Sequence, residues 1–180
     1  LLFRSEGELA NTIVHELTHA TLFVRDDLKF NENLASFVGN RGAEEFLRYK
    51  YGENSEELAY YTNHQHDRKL FAEHMLRGVD QLDSLYNSFS KKMTLAEKQV
   101  LKENEIRKIL LSAKDLEFRN QKYQQYLEKL LQQNSLPNNT FFKSYVRYQS
   151  ELASLGQEFE ESYQGDIRSY LAYLKKKYGK

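Results

Sequence analysis

The sequence has few residues that break or crosslink a chain. Its 180 residues include no cysteine, no tryptophan, a single proline (Pro137) and eight glycines. Without cysteine there are no disulfides, no cysteine nucleophile and no thiolate metal ligands, so a metal site would have to use histidine and carboxylate ligands. An all-β sandwich or barrel needs a turn signal about every 8–12 residues, and so few breakers argue against that class.

An excess of charge of one sign is also missing. The 26 basic side chains are balanced by 26 acidic ones. This balance gives no support for nucleic-acid binding or for a basic protein module that binds a membrane surface. No apolar run approaches the roughly 18 residues of a membrane span. Hydrophobic residues nevertheless make up 40% of the chain, including 13 tyrosines and 11 phenylalanines, and this predicts a core rich in aromatic side chains.

The chain begins with Leu1 rather than methionine, and its first residues carry no signal-peptide pattern. We therefore expect these 180 residues to be the C-terminal part of a longer chain.

Helical periodicity dominates the sequence and predicts an all-α fold. Residues that favour helix N-termini mark the expected starts, two of them within capping boxes. The fourth helix is predicted to run for roughly 35–40 residues without a break, and a fifth to span about 140–163. The predicted caps, in chain order, are Ser5, Asn31, Ser55, Thr94 and Asp166.

This pattern predicts a single helical domain with three parts. Residues 1–52 form a pair of helices, residues 55–133 a long antiparallel helical hairpin, and residues 138–180 the C-terminal helices. The clearest linker surrounds Pro137.

The strongest chemical signal is the HExxH motif formed by His15, Glu16 and His19 in the first predicted helix. Residues four apart project from one helical face, so both imidazoles can reach a single ion, and imidazole suits Zn²⁺. Glu16 would act as general base on the zinc-bound water. Because apolar residues flank the motif, we expect it to be largely buried; a hydrogen-bonded polar cluster in the core is the alternative.

A catalytic zinc site needs a third protein ligand and an open position. Glu32 is the candidate, since it follows His19 by 13 residues across a short loop that lets the second helix fold back over the first. Asp26 and Asp27 on that loop are rivals. Glu32 could also be an ordinary first-turn glutamate favoured by the helix dipole.

The two motifs, taken with their surroundings, resemble the bacterial putative aminopeptidase family of predicted zinc metallopeptidases, which is gluzincin-like. The resemblance rests on Leu9-Ala10-x3-Val14-His15-Glu16-Leu17-x-His19 and on Phe30-Asn31-Glu32-x2-Ala35-x-Phe37-Val38. Weaker similarities extend over nearly the whole chain, at the Leu-x-x-Leu-Tyr end of the segment from Arg68 to Tyr86, at Asn138-Asn139, at Tyr148 and at Gly165-Asp166.

The resemblance implies a zinc-dependent hydrolase that acts on a peptide or protein substrate, named an aminopeptidase, in the cell envelope or periplasm. It also points to Tyr148 as the residue that stabilises the oxyanion, although a core tyrosine is the plainer interpretation and Tyr145 is a weaker candidate. Many gluzincins carry an aspartate four residues after the ligand glutamate, which orients a ligand histidine; here that residue is Ser36. Gluzincin catalytic domains also place a β-sheet before the motif helix, so the resemblance implies that the isolated segment is incomplete as an enzyme.

A different class of function is a non-catalytic helical binding or scaffolding module with a structural or vestigial metal site. A fourth protein ligand that closed the site would favour this alternative. An open ligand position would favour the enzyme.

Overall fold

The computed structural model describes residues 5–132, 136–149 and 152–178, and for 147–149 and 152–153 only the backbone. Within these residues the fold is all-α, as predicted, with no strand. The elements are α1 (Glu6–Thr21), α2 (Leu28–Tyr51), α3 (Glu56–Asn87), α4 (Leu95–Ser112), a 3₁₀ turn (Ala113–Asp115), α5 (Gln121–Gln132), α6 (Asn139–Gln149), α7 (Leu152–Tyr163) and α8 (Ile167–Tyr178).

Four of the five predicted helix caps are confirmed by their hydrogen bonds. Ser5 and Thr94 each form the complete capping box with the glutamate three residues later. The Oγ of Ser55 accepts from the backbone N–H of Leu58 at 3.3 Å. Asp166 begins α8, where its carboxylate accepts from the backbone N–H groups of the next turn.

The fifth predicted cap, Asn31, is wrong. Helix α2 begins one turn earlier, at Leu28, and its cap is Asp27, whose carboxylate accepts from the backbone N–H of Phe30 at 3.0 Å. Asn31 is instead buried inside α2, where its amide donates to the carbonyl oxygen of Val24 at 2.7 Å and accepts from the N–H of the same residue at 2.8 Å. The backbone preceding α2 is therefore held by this side chain.

The continuous fourth helix is also wrong, because α4 ends at Ser112 and α5 begins only at Gln121. In between, the fully buried carboxylate of Asp67 accepts from the backbone N–H groups of Arg119 and Asn120, at 2.9 and 2.7 Å. A continuous helix would bond those N–H groups to carbonyls four residues earlier. The predicted fifth helix corresponds to α6 and α7, which lie on either side of residues 150 and 151, outside the described residues.

The chain divides into two compact units, Leu1–Thr62 with Arg147–Lys180 and Asn63–Val146. In the first unit, α2 is the central helix and packs against α7 and α8 through aromatic and aliphatic side chains, chiefly Leu34, Phe37, Phe159, Tyr170 and Leu174. A smaller cluster around Leu47 and Tyr61 joins α2 to the start of α3. The second unit has its own core, formed mainly by Phe71, Met75, Ile106, Leu110, Leu127 and Phe142.

No helix in the described part of the chain is both long and apolar enough to cross a membrane.

Candidate metal centre

The two histidines of the HExxH motif meet on one face of α1. Their Nε2 atoms lie 3.1 Å apart, and their ring planes are nearly perpendicular, at 85°. This is the arrangement that the spacing of four residues predicts for a helix.

Glu32 on α2 faces the same two nitrogens. Its carboxylate oxygens lie 3.6 Å from Nε2 of His15 and 3.4 Å from Nε2 of His19. Together the three side chains form a group that could hold a metal ion. The rival aspartates do not join this group, since Asp27 caps α2 and Asp26 occupies a left-handed position in the turn, with φ at 63°.

The turn between α1 and α2 brings Glu32 to the histidines. Helix α1 ends at Thr21, and Leu22 is buried against the first unit's core. The positive φ of Asp26 reverses the chain, and the two hydrogen bonds between Asn31 and Val24 close the turn. The residue directly after this link is Glu32.

The separation of the two imidazole nitrogens is compatible with a shared ion. Two nitrogen ligands about 2.0–2.1 Å from zinc at a tetrahedral angle are about 3.3–3.4 Å apart, close to the 3.1 Å found here. The distances of 3.6 and 3.4 Å belong to different oxygens of Glu32, Oε2 from His15 and Oε1 from His19. The histidine side chains are 21% and 22% exposed and that of Glu32 55%, so the group opens towards solvent. Nδ1 of His19 is buried and has no hydrogen-bond partner among the described residues. Ser36 stands at the position where many gluzincins carry an aspartate that orients a ligand histidine.

The expectation that the motif is largely buried is wrong for one side of α1. Ile13, Leu17 and Phe23 are 51%, 58% and 60% exposed, and Glu16 is exposed as well. Helix α1 packs on α2 through its other face, where Thr18 is buried. Glu16 therefore has direct access to solvent on the helix that carries both histidines.

Both tyrosine candidates belong to α6. Tyr148 falls within α6, but its side chain lies outside the described residues. Tyr145 belongs to the aromatic core of the second unit, where its ring centroid lies 5.8 Å from that of Phe71, and burial raises the pKa of its phenol.

Two of the weaker similarities meet within the second unit. Asn138 accepts from the N–H groups of Thr140 and Phe141 and so caps α6. Its neighbour Asn139 accepts a hydrogen bond from the hydroxyl of Tyr86 at 2.9 Å. The Asn-Asn pair therefore has a structural role, at the start of α6 and against the end of α3.

A polar network that the sequence did not predict lies behind the histidines. The side chain of Asn11 on α1 donates to Asn40 on α2 at 2.6 Å and to the hydroxyl of Tyr61 on α3 at 2.8 Å. Gly39, next to Asn40, lies against the same part of α1. The available signal was the presence of asparagine and glycine inside predicted helices, where both weaken the helix unless tertiary contacts use them.

The fold and the site together define an all-helical protein with two histidines from an HExxH helix and a glutamate from the next helix in one group. The model of the family described as Putative aminopeptidase matches residues 1–178, and the chain belongs to that family. No curated protein and no solved structure shows significant similarity to the chain.

Proposed function

We propose that the protein is a zinc-dependent metallopeptidase, with zinc held by His15, His19 and Glu32. The observation that carries the proposal is a group of three ligands that is open to solvent and includes no fourth histidine or carboxylate among the described residues. Catalytic zinc sites use three protein ligands, whereas structural sites use four. The same observation disfavours the alternative of a scaffold with a closed structural site.

The chemistry divides among the metal and two side chains. Zinc, when bound, polarises the substrate carbonyl and makes water more acidic. Glu16 accepts a proton from the attacking water and delivers it to the leaving amine, which suits an exposed carboxylate beside the ligand histidines. Tyr148 would donate a hydrogen bond to the developing oxyanion.

The substrate proposed is a peptide, cleaved at its N-terminus. Membership of the Putative aminopeptidase family supports a peptidase activity. An exopeptidase has to bind the free substrate amine, so acetylation of the N-terminus would abolish cleavage by an aminopeptidase and leave an endopeptidase active.

The first prediction tests the general base. Glu16→Gln should retain zinc and lose about 10²–10⁴-fold in kcat, because an amide cannot accept the proton. Zinc content and cleavage of a peptide library, with free and acetylated N-termini, are measured for the full chain. Glu57→Gln, which changes an exposed glutamate on α3, is the matched control and should keep full activity.

Equal activity of Glu16→Gln and the unchanged protein would contradict the mechanism. A zinc-loaded protein that cleaves no member of the library would support the scaffolding alternative instead.

A further inference from the structure

Gly39 lies where α1 and α2 approach each other behind the metal ligands. It follows Glu32 by seven residues, two helical turns, so both lie on the side of α2 that faces α1. A Cβ atom on Gly39 would lie 3.0 Å from the backbone carbonyl oxygen of Asn11 and 3.4 Å from Cβ of His15. The contact thus joins α2, which carries Glu32, to the backbone of α1, which carries His15.

A methyl group at this position cannot be accommodated by a side-chain rotation. The nearest atom belongs to the backbone of α1, so relief requires the helices to separate by a few tenths of an ångström. The side chain of Asn11 is itself held by Asn40 at 2.6 Å and by Tyr61 at 2.8 Å, which ties α1 to α2 at this level.

Gly39 is not required by its own backbone conformation. Among the described glycines only Gly52 and Gly165 have positive φ, so alanine could adopt the conformation of Gly39. Alanine is also the better helix former. The absence of a side chain at Gly39 is therefore explained by the approach of α1 rather than by the local structure of α2.

We propose that the close packing of α1 on α2 at Gly39 and Asn11 is a positioning device for the metal site, which sets the separation of His15 and Glu32. Metal–ligand distances stay within about ±0.2 Å of their usual values, and an added methyl group demands a shift of a few tenths of an ångström between the helices that carry the ligands. The inference rests on the proposed function in one respect, namely that His15, His19 and Glu32 hold the metal.

The second prediction is that Gly39→Ala weakens zinc binding at least about tenfold, as loss of supporting contacts around a metal site does. Zinc affinity is measured by competition with a chromophoric chelator, and the Co²⁺-substituted protein reports the ligand geometry through its visible absorption. A residue with only a structural role would change the unfolding midpoint and leave both readouts unchanged in the folded protein.

Gly156→Ala on α7 is the matched control, because its Cβ would meet only an atom of Phe37, at 4.0 Å. It should keep the zinc affinity and the Co²⁺ spectrum of the unchanged protein. If Gly39→Ala does not fold, Asn11→Ala tests the same packing from α1, because it removes the hydrogen bonds of the Asn11 side chain to Asn40 and Tyr61, and it should weaken zinc binding at least threefold.

The outcomes separate the two proposals. If the unchanged protein binds zinc and His15→Ala does not, but folded Gly39→Ala binds zinc with full affinity, the positioning role is overturned and the metal site stands. Full affinity in Asn11→Ala, where Gly39→Ala is unfolded, overturns it equally. If His15→Ala retains full zinc affinity, the ligand set itself is overturned.

Discussion

Asn31 is the side chain on which the α1–α2 turn depends most directly. It is 1% exposed, and both hydrogen bonds of its side chain go to Val24. A buried amide in this position satisfies one donor and one acceptor of a backbone segment that has no helical partner. Without the Asn31 donor the Val24 carbonyl keeps only the N–H of Asp27, at 3.4 Å, and an oxygen placed against that carbonyl is repelled, which is costly.

The third prediction concerns this residue. Asn31→Asp keeps the acceptor but replaces the donor to the Val24 carbonyl with a second oxygen, so we expect a loss of about 2–3 kcal/mol in the free energy of unfolding. Urea denaturation followed by circular dichroism gives the value. Asn54→Asp makes the same chemical change at an exposed loop residue and should shift the free energy by less than about 0.5 kcal/mol.

Similar losses in the two variants would show that the amide of Asn31 does not hold the turn.

At the scale of the element, helix starts could be predicted because a cap is a local property. Ser5, Ser55, Thr94 and Asp166 each bond to N–H groups within three residues, and the sequence shows both partners. The prediction of Asn31 as a cap was wrong because the partner of its side chain is not in the next turn of the helix. Its partner is Val24, seven residues earlier, and the cap that forms is Asp27.

The break between α4 and α5 could not be predicted, because its cause lies on another helix. Asp67 on α3 precedes Arg119 and Asn120 by more than 50 residues, yet its carboxylate accepts their N–H groups. No proline or glycine lies between Ser112 and Gln121. The core of the second unit is also contacted from this irregular segment, by Leu116 and Phe118. Apolar residues at these positions are equally compatible with a continuous helix, so they did not reveal the break.

The fourth prediction is that Asp67→Ala lowers the free energy of unfolding by about 2–4 kcal/mol, since two backbone N–H groups lose a charged acceptor. Chemical denaturation of the full chain measures the loss. The control is Asp80→Ala, which removes an exposed aspartate from the same helix and should change the free energy by no more than about 0.5 kcal/mol.

If Asp67→Ala is as stable as Asp80→Ala, the Asp67 carboxylate does not stabilise the break between α4 and α5.

At the scale of the whole molecule, all three candidate ligands belong to the first compact unit, on α1 and α2. These helices are joined by the turn that Asn31 closes and by the contact at Gly39. A metal that bridges them would therefore stabilise the folded chain, because the unfolded chain does not hold the ligands together.

The fifth prediction follows from this linkage. Free zinc at about 100 times its dissociation constant should add about 2.7 kcal/mol to the free energy of unfolding and raise the Tm by about 5–10 °C. A thermal scan with zinc, and again after a chelator is added, measures the shift. Magnesium serves as the control cation, because it prefers oxygen ligands and should not raise the Tm.

His15→Ala should abolish the zinc-dependent rise. An equal rise in that variant would mean that zinc binds elsewhere on the chain.

The sequence by itself determined the all-α fold, most helix starts and the pairing of His15 with His19, because each depends on spacing within one helix. Tertiary structure alone decided that Glu32 rather than Asp26 or Asp27 faces the histidines, since this depends on a turn closed by a buried side chain. It also decided that Ile13 and Leu17 are exposed, because helical periodicity fixes which residues share a face but not which face another helix covers.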